Sequence, residues 1–195
     1  MSTSRDTPEA RDQRIPLPAP ADWSTGFEQR QTAETQLPYE EYTGALEISP
    51  NDTQQYRLIR LPNNMVALCV RNDDVVQSSA CLSMLAGSMA NPPEFLGMAH
   101  FCEHLLTMGS KKYPKEKEYS QYITSNAGYS NAETTMYDTK YFFKVSDKAF
   151  EGALDRFAQI FIDPLFDANS IDRELNSVQS EFQGYKTNDT WRTFM

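Results

Sequence analysis

The chain reads as an α+β protein with a mostly antiparallel sheet and helices packed on one face. Two features of the sequence predict this. Short strand-like runs follow one another from about Gln55 to Leu85, linked too tightly for parallel crossovers. Helical patterns then come in pairs rather than alternating with single strands. The order is β-β-β-α-α-β-β-α-α, so strands and helices segregate. A length of 195 residues with 39% hydrophobic residues suits one domain with a modest core, plus a tail.

The elements follow in order. Residues 1 to 50 are polar and carry Pro8, Pro16, Pro18, Pro20, Pro38 and Pro50, with no apolar period. They are expected to form a flexible polar arm, which Trp23 and Phe27 could dock, and residues 51–195 form the domain. Tyr56–Leu61 and Met65–Val70 are strands around a Pro62-Asn63-Asn64 turn. A third strand over Ser78–Leu85 is expected to join them. Phe95 to Leu106 is a strongly apolar helix, hence a buried one, ending near Gly109. Glu116–Asn126 is a short helix, and Tyr129–Met136 and Lys140–Val145 are strands. Asp147 is placed to cap a helix over Lys148–Phe161, which Pro164 stops. The last helix runs from about Ser170 to Gln183. Its stripe of Ile171, Leu175, Val178 and Phe182 has the spacing of a packed face.

The chemistry concentrates in His100-Phe101-Cys102-Glu103-His104, which holds both histidines of the chain. On a helix, His100 and His104 lie about 40° apart and Glu103 about 60° to the other side of His100. Two imidazoles and a carboxylate thus converge, and zinc takes such nitrogen and oxygen donors while keeping a position open for water. His-x-x-Glu-His is the inverzincin order. Glu174 and Glu181, two turns apart, both border the apolar stripe of the last helix. A partly buried carboxylate there needs a cation. Spacing alone leaves either one open as a third ligand, and leaves both open as solvated surface acids. Cys102 points off the ligand face and reads as a core thiol. The bland alternative makes both histidines satisfied core residues.

Composition narrows the partners. With 27 acids against 18 bases the net charge is -9, which leaves no basic stripe for nucleic acid. No apolar run approaches the ~18 residues of a membrane span. Cys69, Cys81 and Cys102 form no Cys-x-x-Cys pair, and three thiols cannot all pair internally. Together with the lack of a secretory or mitochondrial leader pattern, they point to the cytosol.

Several runs resemble the insulin-degrading-enzyme (insulysin) branch of the pitrilysin family. They are Ala99-His100-Phe101-Cys102-Glu103-His104-Leu105-Leu106, Lys112-Tyr113-Pro114-Lys115-Glu116 and Glu118-Tyr119-Ser120-Gln121-Tyr122. Ser130-Asn131-Ala132, the run from Glu151 to Gln159, the run from Arg173 to Glu181, Asn188-Asp189 and Trp191-Arg192 agree as well. The resemblance spans roughly residues 55 to 195 and implies a zinc metalloendopeptidase with the family's six-stranded antiparallel-type sheet. It implies His100, His104 and Glu181 as ligands of one Zn2+, Glu103 as catalytic base, and Glu174 as the acid that supports a ligand histidine. It also implies that the strand bearing Ser130, Asn131 and Ala132 binds peptide substrate as an added strand.

Members of that branch are several times longer and close two halves over the substrate. The resemblance therefore implies a chain truncated within its first domain, without the tyrosine and arginine that the second half supplies. A C-terminal half or a homologous subunit would be its partner. The alternative is a non-catalytic fragment or assembly subunit, against which the intact motif argues. Three positions depart from the branch: Thr107-Met108 replaces an aromatic–aliphatic pair, and Glu133 stands where an aromatic is common.

Overall fold

A computed structural model describes residues 25–188 of the chain. Residues 1–24, Trp23 among them, lie outside the described residues, as do Asp189, Trp191 and Arg192. The chain divides into two compact units between Asp74 and Val75.

The first unit contains four antiparallel strands paired in sequence order: β1 (Phe27–Gln31), β2 (Pro38–Tyr42), β3 (Gln55–Arg60) and β4 (Val66–Arg71). The β3–β4 hairpin closes over Pro62-Asn63-Asn64 as expected. Leu61 and Met65 pair across it at 2.9 Å, and Asn64 takes the left-handed conformation that asparagine tolerates. The expected arm over residues 1–50 is corrected here, because its described part supplies β1 and β2. Phe27 meets Tyr42 edge-on at 5.4 Å between β1 and β2, and ion pairs tie β2 to β3. Arg57 donates to both oxygens of Glu41 at 2.8 and 3.0 Å, and Arg60 donates to Glu40 at 2.5 Å. The Arg60 guanidinium also stacks 4.3 Å from the Phe27 ring. A reading based on apolar period does not see such pairs.

The second unit has a three-stranded antiparallel sheet of β5 (Gln77–Met84), β6 (Tyr129–Thr134) and β7 (Thr139–Ser146), in the order β5-β7-β6. Its helices are α1 (Met98–Leu106), α2 (Glu118–Ser125), α3 (Phe150–Ile162) and α4 (Ala168–Thr187). The expected pairing of the third strand with the first two, within one six-stranded sheet, is corrected. β5 pairs along its whole length with β7, Gln77 opposite Ser146 and Met84 opposite Thr139. The reason lies in the side chains. β7 turns Tyr141, Phe143 and Val145 to one buried face, and β5 brings Ala80 and Leu82 against the same core. That long-range match outweighs the local preference for a neighbouring hairpin.

The core sits between this sheet face and the helices. Ile123 of α2 and Ala153, Phe157 and Ile160 of α3 are buried against β7. Phe143 meets Phe157 edge-on at 5.2 Å, and Phe157 meets Phe161 at 5.1 Å. Gly128 permits the turn from α2 into β6, since a Cβ there would lie 2.4 Å from the Lys144 carbonyl oxygen and 2.7 Å from that of Ile123. Asp147 does not cap α3. Its carboxylate accepts from the Ser78 hydroxyl at 2.7 Å, and a 3-10 turn, Asp147–Ala149, leads into the helix instead.

The last helix differs most from its reading. Leu175 and Phe182 of the presumed packed stripe are exposed, whereas Ser170 and Glu174 are buried. α4 packs on α1 and turns its polar side there. Cys102 is likewise exposed rather than in the core, and all three cysteines are free.

Candidate metal centre

α1 sets the geometry. Gly97 enters it at φ 88°, in the left-handed region that favours glycine, and the Asn91 side chain accepts from the Ala99 amide at 2.8 Å. The helix therefore starts at a defined place, one turn before His100. It buries Leu105 and Leu106, and this presents His100 and His104 to a cavity of about 1220 Å³. The same cavity is lined by Glu103, by Ser130, Asn131 and Ala132 of β6, and by Glu181 of α4.

The facing ring nitrogens of His100 and His104, both Nε2, are 3.2 Å apart. Glu181 of α4 completes the group: Oε2 is 3.5 Å from His100 Nε2 and Oε1 is 3.8 Å from His104 Nε2. One donor atom from each of the three lies within 4.8 Å of the others, which makes them a group able to hold a metal ion. Among the described residues it is the only such group. Glu174 is not a member. Its Oε2 lies 3.1 Å from His104 Nδ1, on the far side of the ring from the group. A carboxylate there is an acceptor, so Nδ1 is the nitrogen that donates to it, and Nε2 faces His100 and Glu181. The two glutamates that spacing left equivalent are thus separated by geometry.

Glu103 also stays out of the group. It is buried, and its Oε2 accepts from the Thr134 hydroxyl at 2.5 Å. Thr134 is a residue that sequence reasoning missed. Its available signal was strand alternation, which puts Ser130, Ala132 and Thr134 on one face of β6. Arg173 was missed as a site residue too. It donates to Glu116 at 2.9 Å and comes within 3.8 Å of Glu174, tying the segment before α2 to α4.

Ser130, Asn131 and Ala132 lie on the edge strand of their sheet. β6 pairs with β7 on one side, Ala132 opposite Tyr141, and has no strand on the other among the described residues. Burial raises the Tyr141 hydroxyl pKa, and the nearby Cys102 and Glu103 raise it further, so it stays neutral beside the cavity. Burial also raises that of Tyr119, against a hydrogen bond with Ser130 that lowers it.

An inverted His-x-x-Glu-His helix, a facing helix with two placed carboxylates and an antiparallel sheet with an open edge together define the class. The chain belongs to the insulinase family, peptidase family M16, whose sequence profile matches residues 66–194. Insulin-degrading enzyme of Homo sapiens is 49% identical over 146 residues, 75% of this chain and 14% of that protein. The candidate zinc protease mug138 of Schizosaccharomyces pombe is 50% identical over 147 residues, again 75% of this chain and 15% of that protein. The crystal structure of pitrilysin superposes with a TM-score of 0.74 at 36% identity, covering 78% of this chain and 16% of that one. This chain therefore spans a small part of the length of each of these relatives. Among the described residues, no helix is long and apolar enough to cross a membrane.

Proposed function

We propose that this chain carries the zinc site of a metalloendopeptidase and acts in peptide-bond hydrolysis. The observation that carries this reading is the division of labour among the carboxylates. Glu181 joins His100 and His104, Glu174 orients His104 from behind, and Glu103 is held beside the group but outside it. A tetrahedral zinc with bonds of about 2.0–2.2 Å needs ligand atoms roughly 3.3 Å apart. The nitrogen–nitrogen separation of 3.2 Å and the His100–Glu181 separation of 3.5 Å lie near that value, and the His104–Glu181 separation of 3.8 Å is somewhat longer. One Zn2+ per chain is held by His100, His104 and Glu181.

When bound, zinc supplies Lewis-acid polarisation of a carbonyl and acidification of water. Glu103 accepts the proton of the attacking water and returns it to the leaving amine. Glu174 keeps the His104 ring in the ligating tautomer. The bare edge of β6 receives the peptide as an added strand through the main chain of Ser130, Asn131 and Ala132. Extended peptides are therefore the substrate class, and a C-terminal half or homologous subunit is the partner that completes the cleft. The charge of -9 speaks against nucleic acid. Three free thiols favour the cytosol, although one plant relative carries the name insulin-degrading enzyme-like 1, peroxisomal.

Metal analysis of the purified chain tests the reading, with about one zinc per chain expected. Glu103→Gln keeps that zinc and abolishes cleavage, whereas His104→Ala loses both. Cleavage is measured with the chain alone and with a separately expressed C-terminal half. Absence of zinc from the parent chain would sink the metal centre.

A further inference from the structure

We propose that Thr134 is a positioning residue for Glu103, holding its carboxylate away from the metal ligands and presenting one chosen oxygen to the cavity. The inference rests on the reading of His100, His104 and Glu181 as a metal site.

The argument starts from the placement of Glu103. It lies on α1 between the two histidines and lines the same cavity, so helical geometry alone would let its carboxylate join them. It does not join them, and its Oε2 is bonded to Thr134 Oγ1 at 2.5 Å. The direction of that bond follows from counting protons. Thr139 Oγ1 is 3.4 Å from Thr134 Oγ1, but its single proton goes to the Ala86 carbonyl oxygen at 2.7 Å. Thr134 has one proton too, and a carboxylate at 2.5 Å takes it in preference to a neutral hydroxyl at 3.4 Å. Both threonines sit at the end of the β6–β7 ladder, directly opposite each other, so the donor is fixed by the sheet.

The other oxygen is defined by elimination. Glu103 is a buried residue, and among the described residues the one fully enclosed side-chain polar atom without a partner is Arg156 Nε. Among the described residues no hydrogen bond reaches Oε1 of Glu103, and Glu103 lines the cavity, so Oε1 is the oxygen open to it. Thr134 thus occupies Oε2 and leaves Oε1 as the oxygen that meets water. Removing the hydroxyl frees a carboxylate on the ligand face of α1, three residues from His100, and lets it compete for the metal.

The test is spectroscopic and does not depend on turnover. The full chain is loaded with Co2+, whose visible absorption weakens as the coordination number rises above four. Parent chain and Thr134→Ser are expected to give the same intense spectrum. Thr134→Val is expected to lose intensity and shift, as Glu103 enters the coordination sphere. The double variant T134V/E103Q is expected to regain the parent spectrum, a reversal that a general packing defect would not give. Thr134→Ala repeats the test if the valine variant fails to fold, judged by circular dichroism. A Thr134→Val spectrum identical to the parent's, or a change that E103Q does not reverse, overturns the inference. A parent chain that binds no Co2+, or a His104→Ala variant that binds it unchanged, overturns the metal site itself and this inference with it.

Discussion

Replacing Glu174 by alanine should weaken zinc binding by a calculable amount without emptying the ligand set. Glu174 is 9% exposed and its carboxylate accepts from His104 Nδ1 at 3.1 Å. Deleting it leaves that N–H without its acceptor in a mostly buried place and lets the ring choose the wrong tautomer. Outer partners of ligand histidines typically contribute about 10–100-fold in metal affinity. This is roughly 1.4–2.7 kcal/mol, in line with a hydrogen bond to a charged group at about 1.5–3 kcal/mol. Competition against a chelator of known affinity reads the loss directly. A second reading comes from melting: at a fixed zinc excess, the zinc-dependent stabilisation should shrink by the same ~1.4–2.7 kcal/mol. Glu174→Gln keeps an acceptor for Nδ1 and should lose less than about tenfold. Equal affinities for parent and Glu174→Ala would refute the orienting role. Equal losses in the alanine and glutamine variants would show that charge matters, not the hydrogen bond.

Three further outcomes follow from the fold. Phe143→Ala empties a fully buried position against Phe150 and Phe157, and urea unfolding should show a loss of about 3–5 kcal/mol. Asp155 has a carboxyl pKa held below its ordinary value, first by Lys112 and then by Tyr113. A depressed acid stabilises the fold above its unfolded pKa of about 3.9, and that gain disappears as pH falls through the lower folded value. Parent and Asp155→Asn should therefore differ modestly in melting temperature at pH 6 and converge towards pH 2, and a constant gap would contradict the assignment. Hydrogen exchange should slow in α4 on adding zinc, while β7 and α3 change little, because a metal shared by His100, His104 and Glu181 would tie α4 to α1.

What could be read from the sequence depended on the kind of signal. α1, α3 and the β3–β4 hairpin were legible because apolar spacing and turn residues are local. The His-x-x-Glu-His run was legible because helical periodicity turns spacing into geometry. β1 and β2 were not: β2 is tied to β3 by Arg57–Glu41 and Arg60–Glu40, charge pairs that leave no apolar trace, and the run has no apolar period. β5 was found as a strand, but its partner lies more than fifty residues away, beyond the reach of any local rule. Thr134 could be put on a strand face, yet only the packing of α1 on β6 brings it to Glu103.

The misread face of α4 explains how the site and the fold depend on each other. An amphipathic stripe predicts the buried face of a helix when apolar contact is what seats it. α4 instead meets α1 through Glu174 and Glu181, leaving Leu175 more than half exposed while Phe182 lines the cavity. Burying polar groups is unfavourable unless each finds a partner. Buried Glu174 finds His104 and Arg173, whereas Glu181 is exposed and stands 3.5 and 3.8 Å from two imidazoles. A shared cation would offer all three groups a partner at once. The polar seat of α4 is what the proposed metal centre would require of it. By the same logic, Leu175, more than half exposed, is apolar surface that the α1–α4 contact does not use.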